Sequence, residues 1–123
     1  MAMRITRLAD AIPFDPPGHH GVAPVRLHGG QTAPTEGLSV ALSHYLPGGQ
    51  AEPGPQPVET VYVVVGGELV MISEGAEVTL YPYDCAHFTA GTVRQVVNRT
   101  RLPASMLVIR PTVGPREIRE GTS

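Results

Sequence analysis

The chain contains no lysine: its nine basic residues are all arginine. That excludes a lysine Schiff base, a phosphate-loop lysine and lysine acid–base catalysis, and it leaves ionic chemistry to arginine, histidine and carboxylates. Cysteine is nearly absent as well. Cys85 stands alone, so neither an intrachain disulfide nor a cysteine-rich metal site can form, and its side chain is expected to be a small buried hydrophobe. Long apolar runs are missing; the longest, Val61 to Val65, is far short of the roughly 20 residues of a membrane helix. Residues 1–17 carry Asp10, Asp15 and three prolines where a secretion signal would be apolar, so a cytoplasmic chain is expected. Neither charge dominates. Nine basic residues face eleven acidic ones and five histidines, which leaves no electrostatic footprint for nucleic acid or an anionic membrane as a partner.

At 123 residues the chain is sized for one domain with a core of its own. Fourteen glycines and thirteen prolines punctuate short apolar segments, the pattern of an all-β domain with many turns. Strands are expected over residues 3–8, 22–27, 38–46, 59–65, 68–72, 77–81, 84–89, 94–99 and 104–110. Residues 12–21 read as a Pro/Gly arm, with His19-His20 in solvated loop, and 111–123 as a polar tail. The segment 38–46 alternates most cleanly: Leu38, Val40, Leu42, His44 and Leu46 on one face, Ser39, Ala41, Ser43 and Tyr45 on the other. The aliphatic face is expected to point into the core and to carry His44 with it.

Two segments bear a more specific pattern. The first begins at Gly48 and runs through Glu59-Thr-Val-Tyr-Val-Val-Val-Gly66; the second joins Tyr83-Asp84, Thr89-Ala90-Gly91, Arg94 and Asn98. Together they resemble the two signature hairpins of the cupin family over residues 38–110. The resemblance implies a two-sheet antiparallel jelly-roll barrel, a homodimer, and a ligand pocket at one end of the barrel. It also implies four metal-binding positions, of which only Glu59 keeps a ligand; no histidine lies between His44 and His87, and Arg94 stands where a histidine is expected. A cation held by three or four protein ligands would be opposed there by the guanidinium.

Pairing residues 84–89 with 94–99 across a four-residue turn would set His87 opposite Val96 and Cys85 opposite Asn98, all facing inward with Arg94. The barrel mouth is then expected to be lined by His44, Glu59, His87 and Arg94, with Gln56, Tyr62 and Asn98 nearby. Such a group suits a small anionic metabolite. Arg94 would hold a carboxylate, and a histidine with Glu59 would move a proton beside it, giving a metal-independent isomerase, lyase, dehydratase or decarboxylase for a carboxylated or phenolic compound. Three other readings stand beside it: an internal Arg94–Glu59 ion pair, an atypical metal enzyme using His44, Glu59 and His87, and a non-catalytic sensor.

Overall fold

A computed structural model describes residues 3–31 and 33–112. Its strands are β1 (Ile12–Pro13), β2 (His19–His28), β3 (Leu38–Pro55), β4 (Thr60–Gly66), β5 (Leu69–Ser73), β6 (Ala76–Leu80), β7 (Cys85–Phe88), β8 (Val93–Val97) and β9 (Ala104–Pro111). Neighbours run β6-β5-β8-β3-β9-β4-β7, with β2 and then β1 beside β3, and every pairing is antiparallel. The long strand β3 joins the two layers. Its first half pairs with β9 from Leu38 to Tyr45 and its second with β8 from Gln50 to Pro55, so one strand bends out of one sheet and into the other. The bend needs glycine. A side chain at Gly49 would strike the carbonyl oxygen of Gly21, where the backbones of β2 and β3 cross. The result is the expected all-β, two-sheet jelly-roll barrel.

Several local expectations are corrected. Residues 3–8 form no strand; Arg4 bonds the carbonyl of Pro34 and a single 3-10 turn follows at Leu8–Asp10. The arm at 12–21 is partly ordered into strand, because Phe14 N donates to Pro24 O and Ile12 and Pro13 pair with Arg26 and Val25. The turn at Ser73 to Ala76 closes a true hairpin, with Glu74 and Gly75 both at positive φ. The other two connections are not hairpins. After Gly66-Gly67 the chain leaves β4 and enters β5, which pairs with β6 and β8; β7 pairs with β4, whereas β8 pairs with β3 and β5. Both links are corners between sheets, so no cross-strand register joins His87 to Val96. The tail beyond Thr112 lies outside the described residues.

The interior is built from Tyr45, Tyr62, Val64, Leu69, Met71, Phe88, Val96 and Met106 with small residues between them. Paired positions of β3 and β9 alternate in size: Ala41 faces Val108, Ser43 faces Met106 and Tyr45 faces Ala104. Small beside large fills the layer without a void, and each fully buried aliphatic or aromatic side chain stabilises the barrel by about 1.5–3 kcal/mol. The alternation expected for residues 38–46 is present but its faces are exchanged. Ala41, Ser43 and Tyr45 are buried; Leu38, Val40, Leu42, His44 and Leu46 lie on the outer surface of the sheet.

Candidate functional site

At one end of the barrel a cavity of about 70 Å³ is lined by Arg26, Arg94, Arg110 and His19, with Tyr45, Tyr62, Ser39 and Ser43 as hydroxyl groups and Phe14, Met106 and Val108 as apolar wall. Among the described residues, no acidic one lines it. Each cation arrives by strand alternation. Val22, Pro24 and Arg26 of β2 oppose Tyr45, Ser43 and Ala41 of β3 and share their inward face; Arg94 alternates with buried Val96 on β8, and Arg110 follows Met106 and Val108 along β9.

A hydrogen-bonded chain fixes two of the guanidinium groups. Arg94 Nε donates to the Tyr62 hydroxyl at 2.8 Å, Tyr62 donates to Gln56 Oε1 at 3.1 Å, and Arg110 Nη2 donates to the same oxygen at 2.7 Å. Arg94 Nη1 also bonds the carbonyl of Glu52 at 3.1 Å, and Arg110 Nε bonds Thr60 Oγ1 at 3.2 Å. Every acceptor is neutral. Arg94 is 7% exposed, yet among the described residues it forms no salt bridge. Arg26 stacks over Phe14, with Cζ 4.4 Å from the ring centroid. Burial, and then the charge of Arg110, push Arg26 below the ordinary guanidinium range.

His19 is the residue that sequence reasoning missed. Its Nδ1 lies 3.0 Å from Pro17 O, and a carbonyl only accepts, so Nδ1 carries the proton and Nε2 carries the lone pair in the neutral ring. Burial lowers its pKa, the charges of Arg94, Arg110 and His20 lower it further, and only the bond to Pro17 opposes them. The imidazole is therefore a free base at neutral pH. A signal for it did exist: Pro16-Pro17-Gly18 sets a turn directly before a strand whose inward positions include Arg26. Tyr45 is 2% exposed in the cavity wall, and burial followed by the neighbouring Tyr62 raises its pKa against the pull of Arg94. It stays a protonated donor.

The other expected site residues lie elsewhere. His44 is on the outer face, with Nδ1 2.9 Å from Ser105 Oγ. His87 is also outside: it pairs with Val61, and its Nε2 lies 2.6 Å from Glu59 Oε2 on the surface. That contact takes the place of the alternative Arg94–Glu59 ion pair. Cys85 is exposed on the same outer face, not buried. Asn98 is fully buried but spent on structure: its amide donates to Tyr45 O and Leu102 O, and its oxygen accepts from the backbone and hydroxyl of Thr100. No capacity is left for a ligand. Gln56 and Tyr62 do belong to the site, as the bridge between the two arginines.

The donor set does not fit a divalent cation. The pocket offers one imidazole against three guanidinium groups, and guanidinium nitrogens cannot coordinate a metal. Nor do His44, Glu59 and His87 form a set, because β9 and β4 stand between β3 and β7. That separation is roughly 14 Å at the usual spacing of strands.

The sequence of residues 41–110 matches the cupin domain. With the barrel and its end pocket in place, the chain belongs to the cupin family. It is 45% identical over 106 residues to the Mycobacterium tuberculosis protein named beta-D-galactosidase Rv1717, covering 86% of this chain and 91% of that relative. Among solved structures, the polyketide cyclase RemF of Streptomyces resistomycificus superposes with a TM-score of 0.78 at 13% identity, over 98% of this chain and 94% of that one. A Silicibacter pomeroyi cupin described as a sugar phosphate isomerase superposes at 0.72 with 27% identity, over 87% and 74% of the two chains.

Proposed function

We propose that this cupin is a metal-independent enzyme of the isomerase or lyase class that binds a small carboxylated metabolite in the barrel pocket. The observation that carries this reading is three arginines around one cavity with no acidic residue in its wall among the described residues. Arg94 takes the carboxylate through the N–H groups that Tyr62 and Glu52 leave free. His19 Nε2 removes a proton from the carbon beside it. The electron pair moves onto the adjoining carbonyl oxygen, and Tyr45 donates a hydrogen bond to that oxygen. The imidazolium returns the proton to the carbonyl carbon while the proton of the first carbon's hydroxyl passes to that oxygen. His19 thus takes the role expected of His44, Glu59 and His87. The test is calorimetric titration with acetate, glycolate and malonate. Arg94→Ala should lower affinity about 100-fold while the circular dichroism stays that of the native fold, since charge-assisted hydrogen bonds are worth about 1.5–3 kcal/mol each. Unchanged affinity would overturn the proposal.

The name of the Mycobacterium relative favours a second reading, hydrolysis of a β-galactoside. Glycoside hydrolysis uses two carboxyl groups about 5–9.5 Å apart, whereas the carboxylate of Glu52, whose carbonyl meets Arg94, is half-exposed in contact with His20. A nitrophenyl β-D-galactoside decides between the two. Hydrolysis by the native protein that disappears in Glu52→Gln would establish the glycosidase reading.

The partner on the outer face is a second copy of the chain. Val25, Leu42, Leu107, Val63 and Cys85 line up across five strands, and Val40, Ile109, Val61 and His87 form the next row, with no acidic or basic residue other than histidine among them. Five strands about 4.8 Å apart, each with several outward residues, present on the order of 500 Å². That matches the upper range of apolar patch on a stable monomer and approaches what each partner contributes to a standard interface. Light scattering should give the mass of a dimer.

A further inference from the structure

The charge of the pocket sets the charge of its ligand. We infer that the site takes a dianion, either a phosphoryl group or a pair of carboxylates on one small molecule, gripped between Arg94 and Arg110. This deepens the reading that Arg94 meets an anion and rests on it.

Of the five N–H groups on a guanidinium, Arg94 uses two on the Tyr62 hydroxyl and the Glu52 carbonyl, and Arg110 uses two on Thr60 and Gln56. Among the described residues nothing else bonds them, which leaves three N–H groups on each. Arg26 makes no hydrogen bond with its guanidinium among the described residues and is held only by stacking on Phe14. Gln56 is the element that makes this a ligand site and not an internal ion-pair network. Gln56 is 1% exposed, and its amide oxygen accepts from Arg110 directly and from Arg94 through the Tyr62 hydroxyl, so it orients both without cancelling either charge, as a carboxylate there would. One carboxylate entering this basket leaves two cations unpaired in a cavity of about 70 Å³. A second negative charge removes most of that repulsion, and the neutral His19 adds none. Ser39 and Ser43, also in the wall, provide hydroxyl groups for the additional oxygens.

The experiment is calorimetry at fixed ionic strength with inorganic phosphate, malonate and acetate, on the native protein and on Arg110→Met, Gln56→Glu and Arg94→Ala. A dianion site binds phosphate or malonate at least tenfold more tightly than acetate. Phosphate ahead of malonate identifies a phosphoryl ligand, and the reverse order a dicarboxylate. Arg110→Met should remove that preference, lowering phosphate and malonate affinity at least tenfold more than it lowers acetate affinity. Gln56→Glu differs from glutamine by charge alone and should remove it too, which covers the case of Arg110→Met failing to fold. Equal affinity for acetate and both dianions, or equal loss of all three on changing Arg110, overturns the dianion while leaving the carboxylate reading intact. Binding of all three that is indifferent to Arg94→Ala overturns both.

Discussion

The two faces of β3 are made of opposite materials, and each is the reverse of what a hydrophobic core would have. Inward, Ala41, Ser43 and Tyr45 are small or polar and border three arginines; outward, Val40, Leu42 and Leu46 continue the aliphatic surface of β9 and β4. The difference teaches that hydrophobic alternation locates a buried face without saying what buries it. On the proposed reading the interior near the mouth receives a ligand, so its walls are short and hydrogen-bonding, and the aliphatic side meets a second copy of the chain.

The sharpest way to break this comparison is to remove chemistry from the inner face. His19→Gln should reduce proton transfer by 10²- to 10⁴-fold, read as solvent deuterium uptake at the carbon beside the carboxylate of bound malonate, while malonate affinity stays within a few-fold. The pH dependence has a defined sign. Burial and the charges of Arg94 and Arg110 hold His19 below the ordinary imidazole value, so the free base persists as pH falls beneath about 6.5. Arg110→Met removes a positive charge, favours the imidazolium and raises that pKa. The acid limb of the exchange rate, and the titration of His19 followed by NMR, should both move to higher pH. A limb that stays in place would remove His19 as the base.

On the outer face, Leu42→Arg should raise the dimer dissociation constant at least 100-fold, because a second copy would have to bury an unpaired charge. Ligand affinity should be unchanged. A native monomer, or loss of ligand binding in this variant, would show that the two faces are not separate in function.

How far the site could be read from sequence follows from the same contrast. The alternation of 38–46, the turn at 73–76 and the inward position of Arg94 each depend on local pattern or on a family position, and each is legible. The sense of the alternation is not, since no local rule distinguishes a barrel whose interior is a core from one whose interior is a pocket. His87 and Cys85 turned outward because β7 and β8 belong to different sheets, a choice made by pairing between residues far apart in sequence. The segment 89–92 looks like a hairpin turn but packs its backbone against Gln56. His19 was hidden by its Pro/Gly setting. Its pairing with Ala51 of β3, beside the bond from Glu52 N to Gly18 O, brings it to the barrel mouth.

The smallest effect belongs to the group that seemed the best catalytic pair. Glu59 and His87 are 2.6 Å apart, which out of context looks like a carboxylate-oriented base. Their side chains, however, are 63% and 52% exposed, on the opposite side of the sheet from the arginines. Water screens an ion pair in such a position, and ordering two mobile side chains offsets most of what remains, so exposed pairs contribute about 0.2–1 kcal/mol. Glu59→Gln and His87→Gln should each shift the denaturation midpoint by no more than that. Both should leave malonate affinity and deuterium exchange within twofold of the native protein. Their combination should equal the sum of the two to within about 0.5 kcal/mol, as for a weak surface contact. A tenfold loss of exchange in either variant would mean that the reaction takes place on the outer face, and the assignment of inside to chemistry and outside to association would have to be reversed.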